Sequence, residues 1–425
     1  MSHPQKPGIR YFLVFFFLYA AQAIPITFFS VAVPPILREG GVSLEKIGMF
    51  SILTLIVIFK SVIAPIIERL DGGPFGPLKT WIYGAQLLTV LATVAMGFID
   101  PVNQVDQLFL AAAVWMFFAN TQDVGLDALS VRTFFQDQHS AIATLGFFAV
   151  QAATILAGFF IVQLVLRYNF QVGVTLVTIF LLFPFFLLMT IKEPRIKQDK
   201  PKSRMPTVSD YLTTFKNPGM PRYLTAAFFL TVGWGLTNPM IDPLLVDRGF
   251  NLEQFAWING LVVPISAVLG VLMMPILFKL FSIVFLIRFS LVILILNALL
   301  FLLAVFGPVD LWLIVAFKSV GSVAGTFLLV TLASVTLSLA RPSRAAVDLA
   351  TMGTIPAFAS AISGTASGFI AGAAGYPVLF VGAFVIKVIG ALTITVNLDL
   401  REYFSKEEQP VIDGPDEALP EPSSG

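Results

Sequence analysis

The chain has 425 residues, 57% hydrophobic and only 12% charged, with 42 Phe and a net charge of +1. A soluble domain of that size could not cover so apolar a sequence with polar surface, so the composition specifies an integral membrane protein. The near-zero net charge argues against a nucleic-acid partner. The lack of Cys excludes disulfides, thiolate metal sites and a cysteine nucleophile, and two His, His3 and His139, leave little for a metal site or a histidine relay.

Apolar runs of about 20 residues predict membrane helices. In chain order they are Tyr11–Ile36, Ile47–Ile67, Thr80–Ile99, Leu108–Val131, Ala141–Leu166, Gln171–Ile191, Tyr223–Val246, Phe255–Phe278, Ile283–Phe306, Leu311–Leu337, Ala346–Gly372 and Pro377–Val396. The first run lacks a small-residue cleavage site after it and reads as a retained helix, not a signal peptide. With both termini inside, the inner segments carry nineteen of the 26 Lys and Arg, the outer loops four (Arg38, Lys46, Arg167 and Arg248) and the spans three. That asymmetry orients the protein with its termini in the cytoplasm.

The longest polar stretch, Lys192 to Pro221, is basic and follows the sixth helix, as a linker between two halves would. The halves resemble each other. At an offset of 208, Pro35, Leu37, Gly41, Leu44 and Glu45 fall on Pro243, Leu245, Gly249, Leu252 and Glu253, with Ser43 and Asn251 as N-caps of the next helix. The expected fold class is an all-α membrane protein of twelve transmembrane helices in two six-helix bundles related by a parallel repeat. Its parts would be bundles over 1–191 and 222–404, a cytoplasmic linker over 192–221 and a disordered tail over 405–425, rich in Glu, Asp, Pro and Ser.

Charges inside the spans are the candidates for chemistry. Asp123 and Asp127 stand in the fourth span at i and i+4, on one helix face with Trp115 and Ala119. A carboxylate in hydrocarbon costs about 2.5–3.5 kcal/mol on insertion scales, so a retained one faces a wet path or a charged partner. Lys60 lies about 20 Å in from the outer end of its helix and Asp123 about 24 Å, at 1.5 Å per residue, so the two can meet. A structural ion pair, or a snorkelling Lys60, is the plainer alternative. Asp127 sits nearer the inner face and reads equally as a residue that only meets water. Lys318, about 12 Å inside the tenth helix, is too deep to snorkel easily and is expected to face a cavity. Asp242, near the outer end of the seventh, reads as solvated, and Lys387, mid-span in the twelfth, has no evident role. Gln22, Trp115, Asn120, Gln122, Gln151, Trp234, Asn238 and Asn259 are the polar and aromatic groups available to a ligand, though each could simply bond a neighbouring helix. Ser360, Gly364, Gly368 and Gly372 recur every four residues as a packing face.

Three stretches carry a family resemblance. Gln122-Asp123-Val124-Gly125-Leu126-Asp127 resembles the Gln-Asp-x-x-x-Asp motif of the AmpG-like and acetyl-CoA-transporter-like branch of the major facilitator superfamily. Lys60 with Pro65, Glu68, Arg69 and Asp71 is similar to that branch's second helix, and Arg341-Pro342-Ser343-Arg344 through Asp348 to the opening of its eleventh. Size and span number resemble its RhtX/FptX siderophore permeases most. One departure is the loop after the second helix, 72–79, which holds a single basic residue, Lys79. The resemblance implies import of a siderophore or its iron complex across the bacterial inner membrane by a monomer, driven by the proton gradient without other cofactor or metal. Asp123, Asp127 and Lys60 would couple protons. Glu68, Arg69 and Asp71 would meet Arg344 and Asp348 at a cytoplasmic gate, solvated loop charges being the alternative there. A muropeptide or other amphiphilic-metabolite permease is the rival within the class. A membrane-embedded acyltransferase is the alternative of another class, disfavoured because the chain has no Cys, no membrane His and no Gly-x-Ser-x-Gly turn.

Overall fold

The computed structural model describes residues 8–68, 74–134, 138–193, 219–339 and 345–397. Among them all regular structure is helical. The rods are α1 (Ile9–Glu39), α2 (44–68), α3 (Pro77–Met96), α4 (Val105–Thr133), α5 (139–167) and α6 (Phe170–Met189). The second half holds α7 (Gly219–Asp247), α8 (Leu252–Leu280), α9 (Ile283–Phe306) and α10 (Leu311–Leu339). The last helical run, Ala345–Asn397, bends at Gly375 (φ 82°, ψ 163°), a backbone region that favours glycine, and so forms α11 (345–374) and α12 (376–397). Among the described residues eight helical stretches are long and apolar enough to cross a membrane, one of them holding both α11 and α12. With α2, α3 and α4 the described residues contain the twelve rods expected, their ends within about a turn of the apolar runs. The tail 405–425 and most of the 192–221 linker lie outside the described residues.

The internal repeat is visible in the turns. After α1 the Val42 amide donates to Leu37 O (2.9 Å), and after α7 Phe250 does the same to Leu245 O (2.9 Å). Gly41 (φ 78°) and Gly249 (φ 91°) supply the left-handed residue that each turn requires. Ser43 Oγ accepts from Lys46 N at 3.4 Å, and Asn251 and Gln254 cap α8 reciprocally at 3.0 and 2.9 Å. The face of the molecule bearing these two turns is called the turn end below. The opposite face, where α1 begins and α6 stops before the linker, is the linker end. In the turn-end loop before α4, Asn103 backbone and side chain (3.0 and 2.7 Å) and Val102 N (2.9 Å) bond the exposed Asp100 carboxyl and hold it below the usual carboxylate range.

Packing divides by depth. At the turn end one hydrophobic core joins the halves, with Phe28, Leu37, Met96 and Leu108 from the first and Met240, Leu245, Phe255 and Phe380 from the second. Towards the linker end this core splits. Phe15, Ile67, Ile82, Leu126 and Leu188 belong to a core of the first bundle alone, whereas Met220, Ile287, Val335 and Met352 belong to one of the second. The bundles are therefore fused at the turn end and part towards the linker end. Two helix pairs form the seams between them. α2 meets α11 where a Cβ on Gly48 would lie 2.8 Å from Gly368 Cα, and α5 meets α8 where one on Gly158 would lie 2.9 Å from Gly260 Cα. The glycine face of α11 is a packing face, as its spacing implied. At the second crossing both helices widen to π hydrogen bonding, over Ile155–Ile161 and Ile258–Val262, and α2 tightens to a 3-10 helix over Phe50–Phe59.

Candidate functional site

The orientation of α4 fixes the acidic pair. Gly125 lets α3 approach so closely that a Cβ there would lie 2.9 Å from Ile82 Cγ1, and Trp81 Nε1 donates to Thr121 O at 3.1 Å. Thr121 and Gly125 thus face α3. Asp123 and Asp127, each two residues on and rotated by about 200°, face away from it. There Lys60, the first residue of the last helical segment of α2, forms an ion pair with Asp123. Their side chains are 31% and 28% exposed, at the depth where the shared core divides. Asp127, one turn nearer the linker end, is exposed and forms no ion pair among the described residues.

Three sequence-selected groups of this bundle are buried donors without an acceptor among the described residues: Gln22 Nε2, Trp115 Nε1 and Gln122 Nε2. Trp115 packs on Phe29, with centroids 5.6 Å apart. Gln22 and Gln122 lie seven residues from these rings on helices running in opposite directions, so they too share one level, about 10 Å nearer the linker end. Asn120 instead bonds Met116 O of its own helix at 2.8 Å.

The second bundle contributes a separate cluster. Lys318 Nζ of α10 reaches Asp242 Oδ1 of α7 at 3.1 Å, and Asn259 Nδ2 of α8 donates to Asp242 Oδ2 at 3.0 Å. The reading of Asp242 as solvated is corrected: at 14% side-chain exposure it is the acceptor that binds three helices together. Trp234 and Asn238, both exposed, precede it at intervals of four on the same face of α7. Gln151 Nε2 bridges the seam from α5 to Pro264 O of α8 at 3.2 Å. Lys387 gains a partner the sequence did not disclose. Its stem fills the notch at Gly233 of α7, and its Nζ donates to Thr237 Oγ1 at 3.0 Å.

Of the expected cytoplasmic gate, Arg69, Asp71 and Arg344 lie outside the described residues. The backbone places Glu68 at the end of α2 and Asp348 in the first turn of α11. At the turn end sequence reasoning missed a clamp. Arg38 of α1 makes a two-pronged bond to Asp247 of α7, both distances 2.6 Å, and Tyr376 of α12 donates to the same carboxylate at 2.8 Å. The signal available was the place of Arg38 and Asp247 beside the two repeated turns. Near the linker end Glu193 accepts from Leu78 N and Lys79 N (3.2 and 3.1 Å), capping α3, with Arg132 at 3.7 Å.

Comparison with known proteins agrees with this architecture. The family model described as the Major Facilitator Superfamily matches residues 12–364. The anhydromuropeptide permease of Escherichia coli (strain K12) is 25% identical over 154 residues, 36% of this chain and 31% of that protein. The putative transporter AmpG 4 of Rickettsia conorii (strain ATCC VR-613 / Malish 7) is 20% identical over 269 residues, 60% of this chain and 64% of that protein. The chain thus spans about a third and just under two thirds of the length of these curated relatives. A bacterial homolog of the human lysosomal transporter Spinster, solved inward-facing and occupied, superposes with a TM-score of 0.71 at 14% identity, over 95% of this chain and 98% of that one. At that identity the likeness shows the fold alone. A family match over most of the chain, a repeated six-helix bundle and charges held inside the spans lead to one assignment: this multi-pass membrane protein belongs to the Major Facilitator Superfamily.

Proposed function

We infer that the protein is a secondary transporter that couples proton flow to import of an amphiphilic, acceptor-rich metabolite of the muropeptide class. The observation that carries the coupling is the Lys60–Asp123 pair, about a third exposed at the depth where the bundles part. A proton taken by Asp123 cancels its charge and frees Lys60; loss of the proton restores the pair. Asp127, exposed one turn nearer the linker end, offers the next acceptor on the way out. The Lys and Arg excess puts the linker end in the cytoplasm, so this bacterial inner-membrane protein stands open inwards, with the Arg38–Asp247–Tyr376 clamp closing the outside.

The cargo class rests on two supports. Gln22, Trp115 and Gln122 carry donors with no acceptor among the described residues, which suits a ligand rich in carbonyl and carboxylate oxygens. The permease relative in E. coli is named for anhydromuropeptides. Siderophore import rests on the sequence resemblance alone and is the rival cargo.

Proteoliposomes with an imposed proton gradient test both parts. Labelled anhydromuropeptide is expected to accumulate, its gradient to collapse with a protonophore, and a labelled siderophore not to accumulate. Asp123→Asn should lose accumulation yet keep exchange of label between the two faces. Accumulation that survives in Asp123→Asn and still collapses with a protonophore would move the coupling role to Asp127. Uptake of siderophore alone would overturn the cargo assignment.

A further inference from the structure

The two seams between the bundles are related by the internal repeat but are not filled alike. The offset of 208 carries Glu45 of α2 onto Glu253 of α8. At the first seam the Glu45 carboxylate occupies the space a Cβ on Gly372 would need, so protein fills the gap. At the second, no such notch receives the equivalent Glu253. Glu253 is left exposed beside a crevice of about 320 Å³, walled by Phe159 and Gln163 of the first bundle and by Glu253, Gln254, Trp257 and Leu311 of the second. That volume lies at the small end of ligand pockets, about 300–1,000 Å³.

The lining selects for positive charge. Glu253 forms no ion pair among the described residues, and Arg167, one turn beyond Gln163, lies 5.8 Å over the ring of Tyr168. Glu253 also suits the N-terminus of α8, which accounts for an acid at this position but not for the open space beside it. Trp257 is 38% exposed, with Trp312 edge-on to it at 6.5 Å. A carboxylate beside an open indole is the pairing that holds an organic cation, by charge and by the ring quadrupole together.

We propose that this crevice binds an organic ammonium group and that its occupancy holds the turn end closed. The walls come from both bundles, so a ligand there touches both only while they are fused at this end. Its extra contact in that state shifts the population towards it. The site is separate from Asp123, Lys60 and Asp242 and goes beyond the transport reading. The ammonium could belong to a soluble amine or to the ethanolamine headgroup of a lipid, since the crevice lies at helix ends.

The test uses the purified full chain in phosphatidylglycerol nanodiscs, titrated with tetramethylammonium chloride against sodium chloride of equal ionic strength, with Trp fluorescence as the readout. A saturable change is expected with tetramethylammonium only. It should vanish in Trp257→Phe, persist in Trp234→Phe, and need about ten- to a hundredfold more ligand in Glu253→Gln, the loss of one charge-assisted contact. Gln163→Ala, on the opposite wall, should weaken it as well and serves if Glu253→Gln folds poorly. In phosphatidylethanolamine discs a blunted response assigns the site to the lipid headgroup, and an unchanged one to soluble amines. No saturable response, or an equal one in both wall variants, overturns the site. For the coupling, thiol labelling of Leu37→Cys, buried at the turn end, should slow on adding tetramethylammonium unless Glu253→Gln is also present. Labelling that does not change while binding persists overturns the closure. Neither readout needs a transported substrate, so failure here and failure of the transport reading are distinguishable.

Discussion

Lys60 and Asp123 illustrate how a charge survives in a membrane protein: each is the other's counter-ion, and the remaining third of each side chain is open. Removing one partner of a fully buried pair costs about 3–5 kcal/mol; with a third of each side chain exposed, the cost here is smaller. Lys60→Ala and Asp123→Ala are each expected to lower uptake about tenfold or more and to reduce the apparent melting temperature by a few degrees. The charge-swapped double variant, Lys60→Asp with Asp123→Lys, should recover the melting temperature without recovering uptake, because the carboxylate proposed to accept the proton has moved to another helix. Normal uptake in both single variants would show that the pair is only structural. The Asp242 cluster follows the same rule more strictly, with both charged side chains at most 16% exposed and an amide satisfying the second carboxylate oxygen.

At the scale of helices, the seams are set by residues with no side chain. Gly158 and Gly260 cross where both helices relax to π hydrogen bonding, so the close approach and the local widening occur together. Gly260→Val should force the crossing apart, costing about 1–3 kcal/mol of overpacking and abolishing uptake. Gly325→Ala on α10 is the control, since nothing lies within 4 Å of a Cβ there. It should leave uptake intact and melt no lower, because alanine in a helix interior is favoured over glycine. Equal behaviour of the two variants in thermal melts and uptake would show that the crossing tolerates bulk.

For the molecule as a whole, one shared core joins the bundles at the turn end and separate cores fill them towards the linker end. The proposed transport would require the shared core to part, and the Arg38–Asp247–Tyr376 clamp is a polar contact that resists it. Asp247→Asn should therefore raise the population open at the turn end. The chain has no native Cys, so a thiol introduced by Leu37→Cys, at a position 1% exposed, is a clean reporter of that opening. Its labelling rate is expected to rise several-fold, by about the factor that one or two kcal/mol of bias supplies. An unchanged rate would mean that apolar packing alone holds this end shut.

Span number and the repeated turn after α1 and α7 were legible in the sequence, because hydropathy, glycine and N-cap signals act over a few residues and need no partner. The ion pair of Lys60 with Asp123 was accessible too, since helix rise alone sets both at one depth. Asp242, Lys387 and Asp247 were not readable, because their environment depends on which neighbouring helix presents Lys318, Thr237 or Arg38 to them. Nothing local to a span encodes its rotation against its neighbours. The same limit applies to the seams. Glu45 and Glu253 are equivalent in the sequence, yet the first meets a glycine notch and the second an open crevice, a difference decided only when α5 and α11 dock.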